Sequence, residues 1–258
     1  MRKTIATLAL GLALVLGFAA VAPRVAADEP LGVTPAVSVF KGEANFWSGY
    51  DPVNLDGTIN VVVEIPAGTT AKYEVVTKNG TIELEQKNGK PRFVQYLGYP
   101  CNYGNLPRSI LAKKKGGDGD PLDVLLLGPA APTGSVVKGR AIGILSLVDG
   151  GEVDDKVVAV MQTGPFATVS SIDDLNRRFP GVTSILQTWF TSYKGVDKDG
   201  KLALSSPGFK GRAAAIKAIG DAVLDFETSF VTDADRRPLD EKGNPYPYRW
   251  PGARNIGE

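Results

Sequence analysis

The pattern of apolar and polar positions changes character three times along the 258 residues. Behind Arg2 and Lys3 an apolar stretch runs from Ile5 to about Ala22, and Val25-Ala26-Ala27 then supplies small residues. A positive head, an apolar middle and a small-residue exit are the plan of a secretory signal peptide. The stretch approaches membrane-spanning length, but Gly11 and Gly17 interrupt it and its exit fits cleavage. Residues 1–27 are therefore expected to be removed, leaving Asp28 at the mature N-terminus. Residues 28–57, rich in Pro, Gly, Val and Ala without a period, read as an N-terminal extension.

From Thr58 onward β-branched runs dominate. Residues 59–65, 72–77, 81–85, 124–127, 136–147 and 157–162 read as strands. Pro66-Ala67-Gly68, Asn79-Gly80 and Asn88-Gly89 are turn compositions between the earlier ones. Short strands with closely spaced turns predict a small barrel. The period then lengthens. Ser171-Ile172-Asp173-Asp174 offers an N-cap and an acidic first turn for a helix to about Phe179. Residues 182–193 place Val182, Ile185, Leu186, Trp189, Phe190 and Tyr193 at helical spacing, and residues 209–230 do so through Ala215, Ile219, Val223 and Phe226. The order predicts an α+β domain over residues 58–230, mainly β with flanking helices: a barrel first, then two or three packing helices. Residues 231–258, rich in Pro, Arg and Tyr, read as an irregular C-terminal tail.

Composition narrows the chemistry. There is no histidine, which excludes Ser-His and Cys-His nucleophiles and histidine-ligated zinc. The single cysteine, Cys101, cannot form an intramolecular disulfide, and an unpaired cysteine in an exported chain is expected to be buried. The formal charge of +1 becomes −2 once Arg2, Lys3 and Arg24 leave with the signal peptide, so nothing in the balance points to nucleic acid or to anionic membrane.

The acids are clustered. Asp118-Gly119-Asp120-Pro121-Leu122-Asp123 sets three carboxylates just before an apolar strand. Alternation near a strand start puts Asp118 and Asp120 on one side, and the Pro121 turn can return Asp123 toward them. Hard oxygen ligands at one locus suit Mg2+ held jointly with phosphate, and the spacing is wrong for an EF-hand. A second locus, Asp149-Gly150-Gly151-Glu152-Val153-Asp154-Asp155-Lys156, falls in a turn between two expected strands; alone, it reads as a solvated turn. Glu64, Lys72-Tyr73-Glu74, Arg92, Tyr99 and Tyr193-Lys194 add the cations and phenols that a multiply charged phosphate bound with metals requires.

Val63-Glu64-Ile65-Pro66, Lys72-Tyr73-Glu74, Tyr99-Pro100-Cys101-Asn102-Tyr103-Gly104 and Asp118-Gly119-Asp120-Pro121-Leu122-Asp123 occur in an order that resembles the soluble family I inorganic pyrophosphatases. The resemblance covers about residues 58–230. It implies a five-stranded OB-like barrel with flanking helices and a metal-lined cavity at its mouth. It implies several Mg2+ ions per site, held by Asp118, Asp123 and Asp154, with Asp149 serving another and Glu64 a metal carried by the substrate. Asp120 resembles the residue that orients and deprotonates the attacking water, and it is counted with the metal-binding acids as well. Lys72, Arg92, Tyr103, Tyr193 and Lys194 resemble the phosphate-binding and catalytic set, supported by Lys156 and Glu74. The implied substrate is pyrophosphate; the signal-peptide pattern, separately, sets the expected location outside the cytoplasmic membrane, periplasmic or extracellular, without stable membrane association after cleavage near Ala27. Gly150 stands where many members carry a further acid, which weakens the outermost metal position. Relatives are often homo-oligomers partly joined by histidine contacts; with no histidine here, the oligomeric state is open. Two other readings drop the catalysis: an oligonucleotide- or sugar-binding module that keeps the barrel, disfavoured by clustered acids, and an exported non-catalytic Ca2+-binding protein, which needs a fuller oxygen cage. Short polyphosphate or a nucleotide is a closer rival substrate.

Overall fold

The computed structural model describes residues 38–196 and 198–229. The expected signal peptide, residues 28–37 of the extension and the tail 231–258 lie outside them. Eight strands carry the argument: β1 (Ile59–Ile65), β2 (Tyr73–Val76), β3 (Thr81–Leu84), β4 (Asn102–Asn105), β5 (Asp123–Leu127), β6 (Val136–Asp149), β7 (Lys156–Met161) and β8 (Leu204–Gly211). Five of them close a ring, in the order β6-β7-β5-β4-β1 and back to β6. Only β5 and β7 pair in parallel within it; the other four pairs are antiparallel. The expected five-stranded OB-like barrel is thus the observed one.

Four of the ring strands are rich in apolar residues because both of their faces are covered; β4, Asn-Tyr-Gly-Asn, is the exception. Val62, Leu125, Leu127, Val158 and Val160 pack with Leu186, Trp189 and Phe190. Their chain neighbours Val61, Val63, Val124, Leu126, Val157 and Ala159 pack with Ala215, Ile219 and Val223 on the other face. Each Val, Leu, Ile or Phe among them, fully withdrawn from water, contributes about 1.5–3 kcal/mol before the entropy of ordering is subtracted. The long β6 joins the ring to its flank. Residues 136–139 pair with β1, residues 139–145 with β7, and residues 143–149 with β8.

The helices are α1 (Ile172–Arg178), α2 (Val182–Ser192) and α3 (Arg212–Ser229). The Ser171 cap is realised: its hydroxyl accepts from Asp174 N at 3.0 Å. On α2 the apolar spacing overreaches, since Leu186, Trp189 and Phe190 are buried but Ile185 is 59% exposed. The last helix begins three residues later than its pattern suggests. Phe209 lies on β8 opposite Leu145, in a strand bent by a register shift at Gly208, whose φ is +100°. Tertiary pairing here overrides an apolar spacing that also fits a helix. Strands β4 and β8 have no counterpart among the expected strands.

The described part of the extension is packed against the barrel domain. Val39 and Phe40 pair with Glu83 and Ile82, Phe46 is 1% exposed, and Trp47 Nε1 donates to Ser109 O at 2.9 Å. Among the described residues no helix is long and apolar enough to cross a membrane.

Candidate active site

Strand ends gather the chemistry at one rim of the ring. Asp123 opens β5 and Lys156 opens β7; because Val124 lies opposite Val157 in parallel register, these two residues stand side by side. Lys156 Nζ donates to Asp123 Oδ2 at 2.6 Å and to Asp154 Oδ1 at 2.9 Å. One strand further, Tyr103 on β4 lies opposite Leu125. The ammoniums of Lys72 and Lys156 sit 5.4 and 5.5 Å from the centre of its ring. Close approach makes Gly104 obligatory: a Cβ there would stand 1.9 Å from Val62 O.

Glu64 reaches the site through a defect in β1. The register against β4 shifts between Val63 and Ile65, so strict alternation breaks at Glu64. Val63 faces the α3 side, yet Ile65 faces the α2 side with Val62. Such a bulge re-aims a side chain that alternation would have committed to the core. Glu64 Oε1 accepts from Val75 N at 2.7 Å and from Asn105 Nδ2 at 3.1 Å.

Most of the remaining groups come from turns and loops, and Glu74 lies on β2. Asp118 and Asp120 lie in a loop rather than at a strand start, so alternation is not what co-locates them. Gly119, at φ +92°, lets the chain reverse, and Asp118 Oδ1 accepts from Asp120 N at 2.9 Å. Asp149 ends β6, and Gly150 and Gly151, both at positive φ, turn the chain into Glu152-Val153 and back to Asp154. Lys72 donates to Glu74, Arg92 grips both oxygens of Glu85 at 2.6 and 2.8 Å, and Lys194 pairs with Asp149. Tyr193, just past α2, stacks on Trp189 with ring centres 4.8 Å apart and planes 6° apart.

The thirteen residues to which the resemblance gives a role line a single open cleft: Glu64, Lys72, Glu74, Arg92, Tyr103, Asp118, Asp120, Asp123, Asp149, Asp154, Lys156, Tyr193 and Lys194; the phenols Tyr73 and Tyr99 do not. Val75, Pro121 and Asn105 complete the wall, and Asn105 was not anticipated. It lies two residues beyond Tyr103 on β4, the same face by strand alternation, so recognising that strand would have found it. Glu85, which holds Arg92, and Trp189, which backs Tyr193, carry no local signal of those roles.

Electrostatics follow from burial. Burial opposes the Lys72 ammonium, but Glu74, Tyr99 and Glu64 outweigh it and hold the group above the usual lysine range. Asp123 and Asp154 do the same for Lys156. Both lysines therefore remain charged at neutral pH. Burial, reinforced by Asp123, Asp154 and Tyr99, pushes the Tyr103 phenol well above its usual value, keeping it a proton donor. Burial raises Glu64 to about 8 against the pull of Lys72. Asp120 is raised to about 6, first by lost solvation and then by Asp118, Glu74 and Asp123; it stays open to solvent on one side, so protons can still exchange with bulk water.

Seven carboxylates face four cations in this cleft, a formal charge of −3. With every group ionised, this excess disfavours a polyanion that arrives without cations. Oxygen donors in this excess fit divalent metals such as Mg2+. Among the described residues, however, no three acidic side chains converge into a ready cage, because Lys156 holds Asp123 and Asp154, and Lys194 holds Asp149. Metal binding would require these lysines to yield their carboxylates.

Comparison with known proteins agrees on one family. A family model described as inorganic pyrophosphatase matches residues 61–227. The chain is 34% identical over 188 residues to the mitochondrial inorganic pyrophosphatase of Saccharomyces cerevisiae, covering 64% of this chain and 60% of that protein. It is 33% identical over 207 residues to the inorganic pyrophosphatase of Yarrowia lipolytica, covering 74% and 71%. The crystal structure of type I inorganic pyrophosphatase from Toxoplasma gondii superposes with a TM-score of 0.68 at 27% identity, covering 72% of this chain and 89% of that one. The chain thus spans about three-fifths of the length of its Saccharomyces relative.

Proposed function

Because the chain belongs to the inorganic pyrophosphatase family, we propose that it hydrolyses pyrophosphate to two phosphates with divalent metal ions, Mg2+ foremost. The observation that carries this reading is the convergence of strand ends, turns and the α2 terminus on one cleft that holds every residue the family motifs single out. The acid excess supports it further, since it matches a substrate that arrives as a metal complex and disfavours a nucleic-acid groove.

Asp118, Asp123 and Asp154 would hold the tighter metals, with Asp149 and Glu64 serving others. When bound, these ions supply charge neutralisation on the phosphoryl oxygens and a lowered pKa for the attacking water. The chain's own residues do the rest. Asp120 orients that water and takes its proton, having the exposure to pass the proton on. Lys72 and Arg92, held by Glu74 and Glu85, present fixed positive charge to phosphate oxygens. Lys156, Tyr193 and Lys194 bind the same anion, and the protonated Tyr103 donates a hydrogen bond to it.

The test separates a base from a ligand. Asp120→Asn keeps size and hydrogen-bonding shape but cannot take a proton, so kcat should fall roughly 10²–10⁴-fold. Mg2+ affinity should change far less than in Asp118→Asn or Asp123→Asn. Restoration of Asp120→Asn to the parental rate by excess Mg2+ would remove it from the proton-accepting role.

We also propose that the protein works outside the cytoplasmic membrane after cleavage following Ala27, on the strength of the residue 1–27 pattern. Intact mass of protein recovered from the producing cells should begin at Asp28. A membrane fraction retaining residues 1–27 would contradict this.

A further inference from the structure

The loop carrying Asp118 and Asp120 spans residues 106–122 between β4 and β5, and much of its anchorage comes from α3 and the N-terminal segment. Leu111 N donates to Asp120 O, and Gly119 N donates to Leu111 O, both at 2.8 Å, which closes the loop on itself. Ile110 N donates to Ala222 O of α3 at 3.1 Å, and Trp47 holds Ser109 O. At the tip, Lys113–Lys115 form one 3-10 turn. From it Lys115 Nζ reaches Asp225 Oδ1 at 2.7 Å, across 110 positions of sequence.

Asp225 has no part in the chemistry above, yet its side chain is only 8% exposed and sits on the apolar face of α3 with Ala222, Val223 and Phe226. A carboxylate placed there is costly unless a cation meets it. Lys115 is that cation, and it lies three residues from Asp118. The segment between them, Gly116-Gly117, has no side chains to stiffen it and is tied by backbone bonds from Gly117 N to Ala112 O at 3.3 Å and from Val153 N to Gly116 O at 2.9 Å, and Gly119 follows. A side-chain anchor added to these bonds lowers the conformational entropy that the loop loses when it binds a metal.

We propose that Lys115 and Asp225 are positioning residues whose ion pair fixes the acidic loop before metal binds, and thereby sets metal affinity. The proposal rests on the assignment of Asp118 to metal binding.

The full chain should be compared with Lys115→Met, Asp225→Asn and the double variant, with Mn2+ as the probe. Amide hydrogen exchange across residues 111–120, measured without metal, should speed up in both single variants. The Mn2+ dissociation constant should rise roughly 3–10-fold, less than the 10–100-fold typical of residues that touch a ligand directly. The double variant should be no worse than either single one, and the swapped pair Lys115→Asp/Asp225→Lys should recover part of the loss. At saturating metal, kcat should return close to the parental value. Unchanged exchange and unchanged Mn2+ affinity in Lys115→Met, or additive losses in the double variant, would overturn the proposal. Should Asp225→Asn fail to fold, Lys115→Met and Lys115→Arg decide alone, since Lys115 is half exposed and Arg should preserve both exchange and affinity. Absence of Mn2+ binding by the parent would remove the metal reading of Asp118, while the exchange measurement would still judge the anchor.

Discussion

Lys156→Met is the perturbation whose outcome the structure constrains most tightly. Lys156 is 3% exposed, and its ammonium lies 2.6 Å from Asp123 and 2.9 Å from Asp154, whose side chains are 19% and 16% exposed. Met keeps the length of the stem but leaves two partly buried carboxylates facing each other without a cation. Breaking a buried ion pair from one side costs about 3–5 kcal/mol, and residual solvent access at the two aspartates argues for the lower end. For a domain of this size about 3 kcal/mol lowers the melting temperature by roughly 6–12 °C. That loss should appear in full in EDTA. If Asp123 and Asp154 are metal ligands, a divalent ion can take the place of the lost ammonium. Saturating Mg2+ should then restore most of the melting temperature while turnover stays low, because the phosphate-binding charge is gone. Differential scanning calorimetry with and without Mg2+ reads this directly. Lys217→Met provides the contrast: its pair with Asp221 is open to water on both sides, so the change should stay within about 0.5 kcal/mol. An unchanged melting temperature for Lys156→Met in EDTA would refute the electrostatic account, and equal loss with and without Mg2+ would refute the shared metal site.

Cys101 is 2% exposed and burial raises its thiol to about 12, so native protein at pH 8 should resist a chromogenic disulfide reagent and react with one equivalent after denaturation; rapid native labelling would contradict its placement. Glu64 gives a pH signature in metal-free protein. Its folded pKa, about 8, lies above the ordinary 4.5, so its contribution to stability is full below pH 4.5 and fades as pH rises through 8. Denaturant unfolding from pH 5 to 8 should therefore show a shallower decline in Glu64→Gln than in the parent; parallel slopes would contradict the upward shift that burial gives this carboxyl.

What could be read in the sequence, and what could not, divides along physical lines. Strands β1, β6 and β7 were legible because most of their length is buried on both faces, which enriches them in β-branched and other apolar residues. Strand β4, Asn-Tyr-Gly-Asn, has no such run. It belongs to the ring through its pairing with β1 and β5 and through a contact so close that only glycine fits at 104. Strand β8 hid for a related reason: Pro207-Gly208 breaks its alternation, and Phe209 joins a spacing that continues into α3. At the site, the Asp118–Asp123 cluster announces itself because three acids so near one another need a cation. Glu64, lying inside an apolar run, depended on the family resemblance, since a bulge that re-aims a side chain leaves no local mark. The roles of Asn105, Glu85 and Trp189 exist only as contacts made after folding.

The central claim is most directly tested by phosphate release from pyrophosphate, assayed on protein beginning at Asp28 with Mg2+ and with EDTA. The account predicts two phosphates per pyrophosphate in Mg2+, and loss of that release in EDTA that is reversed on adding Mg2+ back. Folded protein that releases no phosphate from pyrophosphate with any divalent metal would contradict it.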